Sequence, residues 1–163
     1  GITISQYARQ GFFEMVAVLF QFGFGVLAFA DVNADAKQIN STVNHHAVLA
    51  DCYRALHRYH EVEQLWRELR EASPAPALLA EGRIVAAGAL ADQGDLQGAL
   101  AIMSKALEVP KKPRDYHLRQ WYVLADLLDR SGDVIKARRY FGLVFEADRE
   151  FADVKERLRT LGR

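Results

Sequence analysis

Residues 121–144 read Trp121-Tyr-Val-Leu124-Ala125-Asp-Leu-Leu128-Asp-Arg-Ser131-Gly132-Asp133-Val134-Ile-Lys-Ala137-Arg-Arg-Tyr-Phe141-Gly-Leu-Val144. Two runs of helix-forming residues flank Ser131-Gly132-Asp133. Gly132 suits the left-handed conformation that closes a helix, and Asp133 can cap the helix that follows. Trp121, Leu124, Ala125 and Leu128 share one face of the first run, and Ala137, Phe141 and Val144 share one face of the second. The stretch predicts two helices folded back on each other through their apolar stripes.

Working outward, the same unit recurs. With Ala137 aligned to Ala99 and Val62, the spacings are 38 and 37 residues. Four positions later stand Phe141, Met103 and Trp66, and three further on Val144, Ala106 and Leu69. In the leading helix the matching sets are Leu124, Ala86 and Leu49, then Ala125, Ala87 and Ala50, then Leu128, Leu90 and Tyr53. At the turn, Gly132 and Gly94 match, with His57 the odd member. Small residues recur where two helices would cross closely, and bulky ones where they would fill the gap. A repeat this long marks a stack of like units, each too small to bury its apolar face alone.

The pattern resembles the tetratricopeptide repeat, whose period is about 34 residues. The likeness covers residues 44–147, with Lys111 and Arg149 where the closing proline usually stands and Val62 where an alanine does. It is also similar to tetratricopeptide proteins of bacterial type. The resemblance implies an all-α, right-handed α-solenoid of helical hairpins at 44–76, 77–115 and 116–149, with a capping helix at 150–163. In that stripe Phe151, Val154, Leu158 and Leu161 fall together, leaving a polar outer face suited to a cap.

The same resemblance implies a function. In the family, the first helix of each hairpin lines the concave surface and holds a peptide. Carried over copy by copy, the lining falls on Asn44, Asp51 and Arg54, then Glu81, Ile84 and Asp92, then Arg119, Tyr122, Asp126, Asp129 and Arg130. Mixed charge with one aromatic can clamp a peptide through charge-assisted bonds and a single apolar anchor. The expectation is a non-catalytic scaffold or adaptor that binds a protein or peptide partner.

Residues 1–43 fit less well, as a degenerate hairpin and a connection. Met15 to Ala30 contain a single polar side chain, Gln21, and six of the nine phenylalanines lie within 12–29. A helix apolar all round needs cover. The run is short of the roughly 20 apolar residues of a membrane helix, so no span is expected. The remaining choices are a folded-back core helix and an interface, and the preferred one is a homodimer joined through Phe20, Phe22, Phe24 and Phe29. The opening Gly1-Ile2-Thr3-Ile4 has no basic residue before Arg9, so a cytoplasmic location is expected.

Composition limits the chemistry. Lys plus Arg and Asp plus Glu both number 21, a zero net charge that disfavours a dedicated polyanion binder. The basic 111–119 region, with Lys111, Lys112, Arg114, Tyr116 and Arg119, leaves a regulatory nucleic-acid-associated protein as the alternative. One cysteine, Cys52, excludes a disulfide framework. His57 and His60 straddle an expected turn, and no metal is expected. No glycine-rich phosphate loop or nucleophile elbow occurs, so neither a cofactor nor enzyme activity is expected.

Overall fold

The computed structural model describes residues 46–104 and 109–161. Among the described residues the chain is all-helical, with no strand. The helices are α1 (His46–Ala55), α2 (Tyr59–Glu71), α3 (Pro76–Asp92), α4 (Leu96–Met103), α5 (Asp115–Arg130), α6 (Val134–Ala147) and α7 (Val154–Thr160). Asn44, the 1–43 segment and the Phe20, Phe22, Phe24 and Phe29 interface lie outside the described residues.

Three turns close by one device. The amide N–H groups of Arg58, Asp95 and Asp133 donate to the carbonyls of Tyr53, Leu90 and Leu128, and those of His57, Gly94 and Gly132 donate to Arg54, Ala91 and Asp129. This paired closure places one residue in the left-handed region. Gly94 (φ 85°) and Gly132 (φ 87°) take it without cost, while His57 takes it at φ 58° despite its Cβ. Asp95 and Asp133 then cap α4 and α6, each carboxylate accepting from the amide three residues on, at 2.8 and 3.1 Å. A different device starts α3, where Pro76 fills a first-turn site whose amide has no helical partner.

Packing follows chain order. Each of α1/α2, α3/α4 and α5/α6 forms a contacting pair, α1 touches α3, α3 touches α5, and α2 and α4 each touch the leading helix of the next pair. Val62, Ala99 and Ala137, aligned by the repeat, are all at most 1% exposed. Met103 and Phe141 at the bulky position are fully buried, and Trp66 nearly so. One core cluster joins α3–α7 around Trp121, Leu127, Phe141 and Val144, and a second joins α1 and α2 to Val85 and Ala89 of α3. The last helix α7 packs on α6, with Val154 and Leu161 buried and Phe151 and Leu158 half-buried on the same side.

Candidate partner-binding site

The leading helices α1, α3 and α5 lie side by side, and the polar residues expected to line a groove sit along them. Most of these residues bind one another. The Arg54 guanidinium, 7% exposed, makes two bonds to the Asp92 carboxylate, at 2.6 and 3.1 Å. Arg119 donates to Glu81 at 2.7 Å, and Arg83 donates to Gln120 at 2.6 Å. Arg130 reaches toward the Ala91 carbonyl at 3.5 Å. Each of these contacts spans 37 to 39 residues, one repeat length along the chain. They stitch each leading helix to the next.

At the C-terminal end the candidates are covered. Tyr122 and Asp126 are buried. Tyr122 packs edge-on against Phe141, lies beside Phe151, and donates its hydroxyl to Asp153. Burial, reinforced by the Asp153 carboxylate, pushes the phenol well above its usual range. Arg157 of α7 donates to Asp126 at 2.5 Å, reaches Asp129 at 3.5 Å, and lies over the Phe141 ring. Burial still raises the Asp126 pKa, against the pull of Arg157 and Arg130 and with Asp129 adding repulsion. Asp51 is raised as well, chiefly by burial, with Arg54 opposing.

What stays open is nearer the start of α3 and α5. A cleft of about 700 Å³ is lined by Ala77, Leu78 and Glu81 of α3 and by Arg114, Asp115, Tyr116 and Arg119. The Arg119–Glu81 pair is part of its lining, both members partly exposed. Ile84 is half-buried against the α3–α7 core. A second, smaller cleft of about 310 Å³ lies between α2 and the α3/α4 pair, lined by His60, Glu63, Trp66, Leu90 and Ile102 among others.

The groups considered for metal or acid–base chemistry are dispersed. Among the described residues no three of His, Cys, Asp and Glu come together to hold a metal ion. His46 meets Glu68 at 3.1 Å, His57 meets the Tyr59 hydroxyl at 2.8 Å, and His117 accepts the Arg114 amide at the start of α5. The Cys52 thiol is pushed up to about 11 by burial and by Asp51, far from the thiolate a nucleophile requires. Among the described residues no helix is long and apolar enough to cross a membrane.

Reading the sequence for charge pairs three and four residues apart finds Arg130 near Asp126, at 4.0 Å. It misses Arg83, Gln120, Asp153 and Arg157. The usable signal is opposite charge at one repeat length, as in Arg54 with Asp92 and Glu81 with Arg119. The chain matches no family model, no curated protein and no solved structure.

Proposed function

We propose that the protein is a non-catalytic interaction module, a tetratricopeptide-like α-solenoid that holds a peptide or partner segment in the cleft between α3 and α5. The observation that carries this reading is the Glu81–Arg119 pair. Of the residues expected to line a groove, these two are partly exposed and both border an open cleft, whereas Arg54, Tyr122 and Asp126 are buried. The ordered adjacency of α1, α3 and α5 supports the solenoid, as do the buried small residues Ala99 and Ala137. Leu78 and Tyr116 offer an apolar seat and Arg114 a cation at its edge. The fitting partner is an extended segment with one apolar side chain beside a carboxylate.

A peptide array probed with labelled protein tests this. Peptides pairing an apolar residue with an acidic one should be retained, and Tyr116→Ala and Arg119→Ala should abolish retention while Arg138→Ala leaves it intact. Retention indifferent to Tyr116 and Arg119 would remove the cleft from the reading.

The second reading is a nucleic-acid-associated regulator. Lys111, Lys112, Arg114 and Arg119 are all exposed, and Tyr116 lines the same cleft as both arginines. Against it, Glu81 pairs with Arg119 and Asp115 lies alongside. Binding of a short single strand that weakens steeply with salt would favour this second reading over the first.

A further inference from the structure

One face of α5 is open at its start and covered at its end. Arg119, Tyr122 and Asp126 stand at i, i+3 and i+7, a single stripe down that helix. Arg119 borders the larger cleft, whereas Tyr122 and Asp126 are buried. Their cover comes from one short segment. Phe151 lies beside the Tyr122 ring, Asp153 accepts its hydroxyl, and Arg157 donates to Asp126 at 2.5 Å and reaches Asp129 at 3.5 Å. Val154 and Leu161 are buried with them, so Val154, Arg157 and Leu161 repeat the i, i+3, i+7 spacing on the covering side. The contact carries its own costs. Asp126 Oδ2 and Arg157 Nε are buried without a hydrogen bond to offset their desolvation. Ala152, at the entrance to α7, is left-handed at φ 47° despite its Cβ. A helix of seven residues adds little stability of its own. Joints of this kind open before the rest of a fold does.

We infer that α7 is a displaceable, autoinhibitory cover on the far end of the partner-binding face of α5. A partner segment takes its place when it carries an apolar residue, an arginine three positions on and a second apolar residue four further. This rests on the reading of α5 as a partner-binding helix. The segment already seated there names the occupant. Asp126 and Asp129 together call for a cation, and the Arg157 guanidinium meets both while lying over the Phe141 ring. Val154 and Leu161 mark the seats of the two apolar side chains. Being tethered, α7 competes at a high effective concentration. A segment in trans therefore binds in proportion to the fraction of chains in which α7 has lifted.

A labelled peptide of residues 149–161 is the probe, titrated against the full chain by fluorescence anisotropy. Two substitutions lift the cover and leave α5 untouched: Arg157→Ala removes the guanidinium, and Asp153→Ala removes the acceptor of the Tyr122 hydroxyl. Each variant should bind the peptide at least about tenfold more tightly than wild type. Ala152→Gly, added to either, should weaken binding again, because it relieves the left-handed strain and reseats α7. A peptide carrying Arg157→Ala should bind neither. Equal affinity for wild type and both lifted variants would overturn the inference, as would the absence of binding to both at millimolar peptide. Loss of the folded state in both variants, followed by circular dichroism, would overturn it too, because α7 would then be a structural part of the core. Retention of array peptides through Tyr116 and Arg119 separates this inference from the reading beneath it. If that retention holds while neither lifted variant takes the 149–161 peptide, only the displaceable cover fails. If the lifted variants take the peptide while Tyr116 and Arg119 prove inert, only the cleft fails.

Discussion

The guanidinium of Arg54 lies where a side chain at Gly88 would stand. A Cβ built on Gly88 would overlap the Arg54 guanidinium, and that guanidinium continues to Asp92, one helical turn beyond Gly88. A glycine in mid-helix ordinarily costs about 1 kcal/mol relative to alanine. Here it opens the slot through which one leading helix is stitched to the next.

Gly88→Ala should therefore destabilise the protein, despite the better helix propensity of alanine. The added methyl drives the guanidinium off Asp92, and the lost charge-assisted bonds, about 1.5–3 kcal/mol, outweigh the gain of about 1 kcal/mol in the helix. In an Arg54→Ala background the sign should reverse, with Gly88→Ala then stabilising. Urea denaturation of the four proteins closes the cycle. An alanine that destabilises equally in both backgrounds would show that Gly88 serves something other than Arg54.

The turns offer a gain in stability. His57 stands at the register of Gly94 and Gly132 and adopts the same left-handed conformation, which costs a residue with a Cβ about 1–2 kcal/mol. Its ring bond to the Tyr59 hydroxyl offsets part of that. His57→Gly should raise stability by about 0.5–1 kcal/mol, whereas Gly94→Ala and Gly132→Ala should each lower it by about 1 kcal/mol. Thermal melts resolve changes of this size, about 1–4 °C for a chain this long. A lower melting temperature for His57→Gly would mean that the His57–Tyr59 contact outweighs the backbone strain.

These turns also show what could be read from the sequence. Gly94, Gly132, Asp95 and Asp133 announce helix closure and capping because backbone geometry at a turn depends on a few adjacent residues, and the all-helical architecture follows from them and from the apolar stripes. The odd member, His57, is placed by the repeat register rather than by its own chemistry. Site geometry was less legible. Asp51, Asp126 and Tyr122 have the composition of a polar groove, yet the latter two are buried, because whether a residue on a leading helix meets solvent depends on a segment some 30 residues away. Phe151, Asp153 and Arg157 cover Tyr122 and Asp126, and nothing within α5 itself foretells that.

The close-crossing position gives a prediction about spacing. Val62, Ala99 and Ala137 are equivalent in sequence and all essentially inaccessible, so a change of volume at any of them must be absorbed by the packing around it. Ala137→Val should cost about 1–3 kcal/mol by overpacking. Val62→Ala should cost about 2 kcal/mol through the cavity it leaves. Chemical denaturation measures both. If either exchange is neutral, that crossing is loosely packed and the equivalence holds in sequence alone.

Asp126 carries a pH signature whose sign runs opposite to that of most paired carboxylates. Burial holds its pKa above the ordinary 3.8 even with Arg157 in contact, and its Oδ2 makes no hydrogen bond, leaving an oxygen that can carry a proton. The folded state therefore binds this proton more tightly than the unfolded chain does. Its contribution to stability is full below the unfolded value and falls as pH rises through the folded one. Asp51 slopes the same way, so the wild-type curve alone does not isolate Asp126. Asp126→Asn keeps the shape and removes the titration. The stability of the variant relative to wild type, from urea melts at about pH 4 and about pH 7, should shift in the variant's favour at the higher pH. Parallel curves across that interval would mean that Arg157 and Arg130 compensate the buried charge fully. A shift in the other direction would mean that they hold the folded carboxyl below its unfolded value.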